Sequence, residues 1–431
     1  MSEYKKNSLT LIGAISLGTG VMIGAGIFSL LGQVAEFSGR LFPFMFIFGG
    51  IVTGFSAYSY IKLSSEFPSS GGIAIFLIKE YGKTSLSVFA AMLMVFSMII
   101  NQSFVGRTFG TYILQLFDSK GLEFLVPLLG VGLLGFAFLV NILSNRFIQT
   151  FSSVISLIKV IGLCVFAIAI LWGAGFTFTP AEISSEVSIP SISSYIAAIA
   201  LTMIAFKGFT TITNVGSEVV NPNENVGRAI IISIIISLLV YVLLAWAVSS
   251  NLPLEDIIKS KDYALAEAAR PTFGKIGVWF TVIIAIFSTV SGVIASVFAV
   301  SRMLAMLSEM ELIPHNHFGM PGNIQKHTLV YTIVVGMTVT IFFDLSRIAS
   351  IGTILYLVMD MIVHWGLLKN LRNQVKANSF IVFTALTMDA IILSVFVWVK
   401  ATTDVLVVII SIISILIIFI SERWFLNKKV S

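Results

Sequence analysis

Gly18-Thr19-Gly20-Val21-Met22-Ile23-Gly24-Ala25-Gly26-Ile27-Phe28 lies inside the first long apolar run of the chain, 9–35. Its four glycines, Gly18, Gly20, Gly24 and Gly26, fall within nine residues, and each costs about 1 kcal/mol against alanine in a helix interior. Such a stretch resists a single continuous helix and lets another backbone come close. Gly20 and Gly24, four apart, also fit a small-residue helix-packing face, so a second stretch is needed to decide. It comes in the sixth apolar run, 194–214, as Ala205-Phe206-Lys207-Gly208-Phe209 followed by Thr210-Thr211-Ile212-Thr213-Asn214. A lysine beside a glycine and a β-branched polar run make a poor helix centre. Interrupted spans in the first and sixth positions point to a five-plus-five repeat with a binding site at the bilayer midplane.

The surrounding sequence supplies the bilayer. Of 431 residues, 57% are hydrophobic and only 11% charged, with a mean hydropathy of +1.01. A soluble domain keeps about a quarter of its residues charged, so most of this surface must face lipid. A span takes about 20 apolar residues, and about twelve such runs follow one another: 9–35, 43–63, 86–114, 124–143, 148–172, 194–214, 228–250, 275–305, 328–344, 347–368, 379–399 and 404–423. The expected fold is an all-α integral membrane protein with helices one and six broken and two helices appended. As one polytopic unit it divides into repeat one over 9–172, repeat two over 194–368 and the appended pair over 379–423. The interruption 251–274 carries Asp, Glu and Lys and suits a short surface helix.

Lys5 and Lys6 precede the first run, which lacks a small-residue cleavage site and reads as a retained helix. With the N-terminus inside, inner segments hold fifteen Lys and Arg against eight outside, including Lys120, and half of those eight lie in the long 251–275 segment. The positive-inside bias therefore places a multi-pass protein in the cell membrane with both termini cytoplasmic. The net charge of +5 is this bias; no basic run interleaved with aromatics indicates nucleic acid. The single cysteine, Cys164, lies mid-span and closes no internal disulfide.

Unwinding frees N–H groups at one half-helix start and carbonyls at another half-helix end. The first, at the positive dipole end, suit a carboxylate, and the second suit an ammonium. A zwitterionic α-amino acid matches two broken helices better than a sugar or a lipid. The expected partners are thus an amino-acid-like solute, the lipid bilayer and a coupling proton. No ATP-binding motif is present and no organic cofactor is called for.

Four stretches resemble the amino acid–polyamine–organocation transporter superfamily, in order and over nearly the whole chain. They are Gly18 to Phe28, Glu66-Phe67-Pro68-Ser69-Ser70-Gly71-Gly72, Lys207-Gly208-Phe209 through Asn221-Pro222 and Arg228, and Ser301-Arg302-Met303-Leu304-Ala305 through Ile313-Pro314. The resemblance implies an inverted-repeat fold and a secondary amino acid transporter working by proton symport or exchange. By motif position, it implies a substrate site built from Met22, Ile23, Gly24, Ala25 and Gly26 and from Ile204, Phe206, Lys207, Gly208, Phe209 and Thr210. The amides of Ala25 and Gly26 would take the carboxylate, the carbonyls of Met22, Ile204 and Lys207 the amino group. Phe206 and Phe209 would serve as a gate or as ordinary packing. Thr210 stands where the family usually has an acid, and a lysine before the glycine is uncommon there.

Intramembrane charges are expensive and mark function or pairing. Lys159, between Ser156 and Gly162, falls where the resemblance puts the metal ion of sodium-coupled relatives. Its ammonium would mimic that ion and load and release a proton, or else act as a fixed cation bonded to helices one and eight. Lys207 would neutralise an acidic cargo or repel a basic one, or else pair with a buried acid. Asp360 and His364 share a face of the tenth span as a relay candidate, with His364 expected near the inner boundary in a surface role. Asp389 is expected at a helix or subunit contact, Arg107 at the outer vestibule or in a local pair, and Glu218 in a cytoplasmic gate with an arginine.

An enzyme is not expected: His315, His317, His327 and His364 offer no metal-ligand pair with a carboxylate at depth, and no nucleophile elbow occurs. A channel would want a polar stripe along a pore, whereas the polar residues cluster at the breaks and in the fifth and eighth spans, as at Ser288, Thr289, Ser291 and Ser296. A sensor would want a soluble output domain. The remaining alternative is a carrier of an amine or another small solute.

Overall fold

The computed structural model describes residues 8–69, 71–117, 121–143, 145–176, 190–313 and 324–430. The first span is two helices, α1 (Leu11–Met22) and α2 (Ala25–Ser38), followed by α3 (Phe42–Glu66) and a short connecting helix α4 (Ile73–Tyr81). Three further spans follow as α5 (Ser85–Leu114), α6 (Leu125–Leu143) and α7 (Asn145–Gly173). The sixth span is again divided: α8 (Ile192–Phe206), a 3₁₀ turn Lys207–Phe209, and the single turn α9 (Thr210–Thr213). After α10 (Pro222–Asn251), the 251–274 stretch folds as two short helices, α11 (Leu254–Lys259) and α12 (Ala264–Glu267). The chain closes with α13 (Arg270–Glu309), α14 (Ile324–Phe342), α15 (Leu345–Gly366), α16 (Ser379–Thr403) and α17 (Val405–Val430).

The twelve expected spans are all helical, displaced at their ends by capping. Pro222 takes the first turn of α10 and Asn221 before it is left-handed at φ 49°, so this helix begins six residues before the apolar run at 228. Thr10, Thr84, Ser191, Asp344 and Asn378 accept first-turn amides of α1, α5, α8, α15 and α16. These are the ordinary oxygen caps for otherwise orphaned N–H groups. Among the described residues, ten segments qualify by length and apolarity as membrane-crossing. One of them, Ala25–Glu66, holds both α2 and α3, while α1 is shorter and α14 is too polar to count. The chain is a multi-pass membrane protein.

Burial separates an inner bundle from a lipid-facing rim. The apolar windows of α5 and of Ile192–Thr213 are 83% buried and that of α13 is 78%, against 22% for α17 and 28% for α6 and α16. On α7 the outward face carries Leu157, Ile158, Ile161, Val165 and Ile168, while Lys159, Leu163, Phe166, Ala167 and Ile170 point inward. The one charged side chain among these points inward, as the cost of a charge facing lipid requires. The first span packs on the sixth (α2 on α8), the second on the seventh (α3 on α10) and the third on the eighth (α5 on α13). These pairings are the ones a five-plus-five inverted repeat produces.

Candidate functional site

The two breaks meet at the centre of the bundle because glycine removes the side chains that would hold them apart. A Cβ on Gly208 would lie 2.5 Å from the Met22 amide nitrogen, and one on Gly26 would lie 3.0 Å from the Ala205 Cβ. Between α1 and α2, Ile23 and Gly24 leave helical geometry, with Gly24 at φ −98° and ψ −126°. The amides of Ala25 and Gly26 open α2 and, as first-turn groups, have no intrahelical carbonyl to bond.

The carbonyls around the breaks are partly engaged. Tyr241 on α10 donates to Met22 O and lies 3.1 Å from Ala205 O, so one hydroxyl reaches both broken spans. Ile204 O accepts the Lys207 amide, and Lys207 O accepts the Thr210 hydroxyl at 2.9 Å. Lys207 O also accepts the Thr210 amide, so both of its lone pairs are engaged, whereas Met22 O and Ile204 O each keep a second one. Tyr241 was not among the expected residues, although it is the one aromatic residue between the ends of an otherwise aliphatic and small-residue stretch of α10, from Arg228 to Ala245.

Between the breaks, α5 and α13 is a narrow cavity of about 30 Å³. Met22, Ala25, Gly26, Ile204, Lys207, Gly208 and Thr210 line it; Ile23, Gly24, Phe206 and Phe209 do not. Phe206 packs on Tyr241 and Phe209 on Tyr60, at ring separations of 5.0 and 5.3 Å. Met98, Asn101, Phe104 and Val105 of α5 and Ser296 of α13 complete much of the wall. Ser296 belongs to the polar group that the sequence marked in the eighth span, whereas the four residues of α5 were not expected, because their surroundings are ordinary apolar helix. No carboxylate lines the cavity among the described residues.

Lys207 ends at the back of this wall. Its ammonium donates to Ser97 and stands 5.1 Å over the Tyr356 ring. Lys159 is 1% exposed; it donates to Gly20 O and, at 3.2 Å, to Ser291 Oγ. It thus reaches the first span and α13, and no carboxylate pairs with it among the described residues.

Both approaches to the cavity are closed. At the end where α1 begins, Glu218 and Arg302 form an ion pair, 4% and 7% exposed, with the guanidinium 3.9 Å over Phe298. Leu9 pairs with the strand-like Glu218–Val220 segment through Leu9 N to Glu218 O and Val220 N to Leu9 O, both 2.9 Å. At the opposite end the segment after α11 lies on α2: Gln33 Nε2 donates to Asp262 Oδ1 at 3.1 Å and Lys261 pairs with Glu36 at 2.8 Å. Burial raises the Asp262 carboxyl above the usual carboxylate range, partly offset by Gln33 and Lys261. Arg107 donates to Thr340 O and Ile341 O at the end of α14, a local tie.

Two expectations fail on α15 and α16. His364 is fully buried, not at a surface boundary, because α3 and α16 cover that end of α15. A histidine does meet carboxylates at depth: His364 Nε2 is 3.5 Å from Asp360 Oδ2 and 3.3 Å from Asp389 Oδ2. Sequence spacing hid this, since Asp389 arrives from the next helix. Lys5, Lys6, Ser70, Lys120, Pro314, His315 and His317, with the side chains of Arg146, Lys428 and Lys429, lie outside the described residues.

Comparison with known proteins agrees with the geometry. The family profile "Amino acid permease" matches residues 9–424. An uncharacterised protein of Methanocaldococcus jannaschii is 30% identical over 88% of each chain. The inner membrane transport protein YbaT of Escherichia coli is 30% identical over 86% of this chain and 85% of its own. The serine/threonine exchanger SteT of Bacillus subtilis is 25% identical over 91% and 90%. With its two broken spans meeting over a central cavity, the chain belongs to the amino acid permease family of the amino acid–polyamine–organocation superfamily of membrane transporters.

Proposed function

We propose that this protein is a secondary carrier, with no catalytic activity, of a small neutral α-amino acid across the cell membrane, with a proton as the coupling ion and both termini cytoplasmic. Repeat one spans 9–172, repeat two 194–368, and the pair 379–423 is appended. The observation that carries the reading is the meeting of two broken helices over a cavity that offers the first-turn amides of Ala25 and Gly26 but no carboxylate. A substrate carboxylate suits those amides and the positive end of α2. The ammonium group fits the remaining lone pairs of the Met22 and Ile204 carbonyls and would have to displace the Thr210 hydroxyl to use that of Lys207.

Cargo with a basic side chain has no acid to meet here. Acidic cargo would compete with Ser97 for Lys207, so neutral cargo fits best. The serine/threonine exchanger SteT is named for such substrates. The narrowness of the cavity belongs to a closed state, in which cargo arrives and leaves only as one of the two ends opens.

Lys159 is the candidate for the coupling group. A buried ammonium held by one carbonyl and one hydroxyl, with no counter-charge among the described residues, is costly, and losing its proton removes the cost. Thermal stability of the purified protein against the proteinogenic amino acids and common amines tests the cargo. Stabilisation by small neutral amino acids is expected; stabilisation by amines alone would move the assignment to an amine carrier. Lys159→Ala is expected to lose uptake driven by a pH gradient while keeping exchange, and proton-driven uptake in that variant would remove the coupling role.

A further inference from the structure

Behind the α8–α9 break stands a polar cluster that neither cargo nor Lys159 uses. Tyr356, Asp360 and His364 lie at successive i, i+4 positions on one face of α15, and Asp389 faces them from α16. All four are buried to 1% exposure or less. The acceptor atoms of Asp360, His364 and Asp389 all fall within 4.8 Å of one another.

Their partners are unequal. Asp360 accepts from Tyr60 at one oxygen and from Ser56, at 2.6 Å, at the other. The Nδ1 of His364 is fixed 2.9 Å from Ser59 Oγ. No well-aligned hydrogen bond reaches either oxygen of Asp389 or His364 Nε2, although His364 Nε2 and Asp389 Oδ2 approach to 3.3 Å. Two carboxylates this close at full burial cannot both stay charged at low cost. Donors to the charged form favour it; Asp360 has two hydroxyl donors, whereas Asp389 is faced only by His364 Nε2 at 3.3 Å. A proton therefore settles on Asp389, leaving Asp360 charged.

The cluster has an outlet at each end. Toward the substrate break, the Tyr60 ring packs edge-on against Phe209 at 5.3 Å, and the Lys207 ammonium stands 5.1 Å over the Tyr356 ring. Toward the end where α1 begins, Glu80 of α4 is 4% exposed with neither carboxylate oxygen bonded. It lies so near α15 that a Cβ on Gly366 would come within 2.8 Å of its Cδ. Burial holds the Glu80 carboxyl well above the usual range, opposed by His364. Tyr81 beside it donates to Ile362 O at 2.6 Å. The groups facing the cluster are thus Tyr60 of α3, Glu80 and Tyr81 of α4, Lys207 of the break and Tyr356 of α15.

We propose that Asp360, His364 and Asp389 form a second proton-binding site of the carrier, loaded at Asp389 and linked to the sixth-span break through Asp360 with Tyr60 and Lys207. This rests on the carrier reading above but places a proton apart from Lys159. Intramembrane chains of acids and histidines commonly serve such relays.

The test is infrared difference spectroscopy of the full-length protein in lipid nanodiscs across a pH titration, with metal content measured on the same sample. A titrating carboxyl C=O band is expected in the native protein, lost in Asp389→Asn, displaced in His364→Gln and kept in Lys159→Ala. A band unchanged in Asp389→Asn would overturn the proposal. So would a stoichiometric divalent metal, which would hold both carboxylates charged. Amino acid affinity, measured in parallel, is expected to change up to about tenfold per pH unit where the band titrates, as one linked proton requires. Asp389→Asn should flatten that slope, and an unflattened slope would overturn the link to the break. If the band behaves as expected while no amino acid binds, the proton site stands and the cargo reading fails.

Discussion

Tyr241→Phe isolates the hydroxyl that joins the two broken spans. The ring would stay where it is, packed at 5.0 Å against Phe206 and 5.8 Å against Phe46, so no cavity opens. What is lost is the donor to Met22 O, the last carbonyl of α1, and to Ala205 O at 3.1 Å. A buried carbonyl left without its donor costs about 1–3 kcal/mol. If that loss falls on the conformation that binds cargo, affinity drops about 5- to 150-fold, the range such a free energy spans. The assay pairs thermal unfolding in detergent with calorimetric titration of the amino acid that stabilises the native protein. Tyr112→Phe is the control: its hydroxyl donates to Phe28 O at 2.8 Å, one turn beyond the first break and touching only one of the two spans. Both variants should lose stability, and only Tyr241→Phe should lose affinity. Equal affinities in the two variants would refute the idea that this hydroxyl sets the geometry between the breaks.

Three further outcomes are expected. Lys207→Met should keep binding of small neutral amino acids and weaken discrimination against basic ones; an unchanged substrate profile would remove Lys207 from selectivity. Glu218→Gln leaves Arg302 buried without its anion, which costs about 3–5 kcal/mol when one partner of such a pair is removed. It should make positions near Val219 reactive to a thiol probe once a cysteine is placed there, and unchanged reactivity would show that the ion pair does not hold that end closed. Because the folded-state pKa of Asp262 is raised, its contribution favours the folded state below that pKa. That contribution is lost as pH rises from the unfolded carboxylate range through the folded value. Asp262→Asn should flatten this loss in a thermal-stability profile, and a profile parallel to the native one would exclude Asp262 as its source.

Most of the fold was legible because its signals are local. Glycines at 18, 20, 24 and 26 and the Lys207-Gly208 pair are anomalies in apolar helix, and both mark real interruptions. Of the alternative packing pair, Gly20 does pack closely, since a Cβ there would lie 2.4 Å from Ser156 Oγ of α7, while a Cβ on Gly24 would meet only Val21 of its own segment. The glycines that bring the breaks together are Gly26 and Gly208, against Ala205 and Met22. The Glu218 pair with Arg302 was legible as well, since a buried acid near a span end needs a nearby cation. The cavity wall was less so. Asn101 and Phe104 belong to a long unbroken helix, and nothing in their neighbours' pattern says which face meets the breaks, whereas Ser296 sits in the polar group of the eighth span that the sequence displays. The cluster at Asp360, His364 and Asp389 was hidden because its third member comes from another helix. The expected role of His364 at a boundary followed from Lys369 and Arg372 nearby in sequence, whereas α3 and α16 enclose it in space.

Counterflow in liposomes tests the central claim most directly. Purified protein is reconstituted with one neutral amino acid trapped inside, and labelled amino acid is added outside without any ion gradient. A carrier with one site between the two breaks should accumulate label transiently and saturably, and Gly208→Val, which drives side-chain atoms into the Met22 backbone, should abolish it. Absence of counterflow for every α-amino acid, or a flux that does not saturate, would contradict an amino acid carrier working from this site.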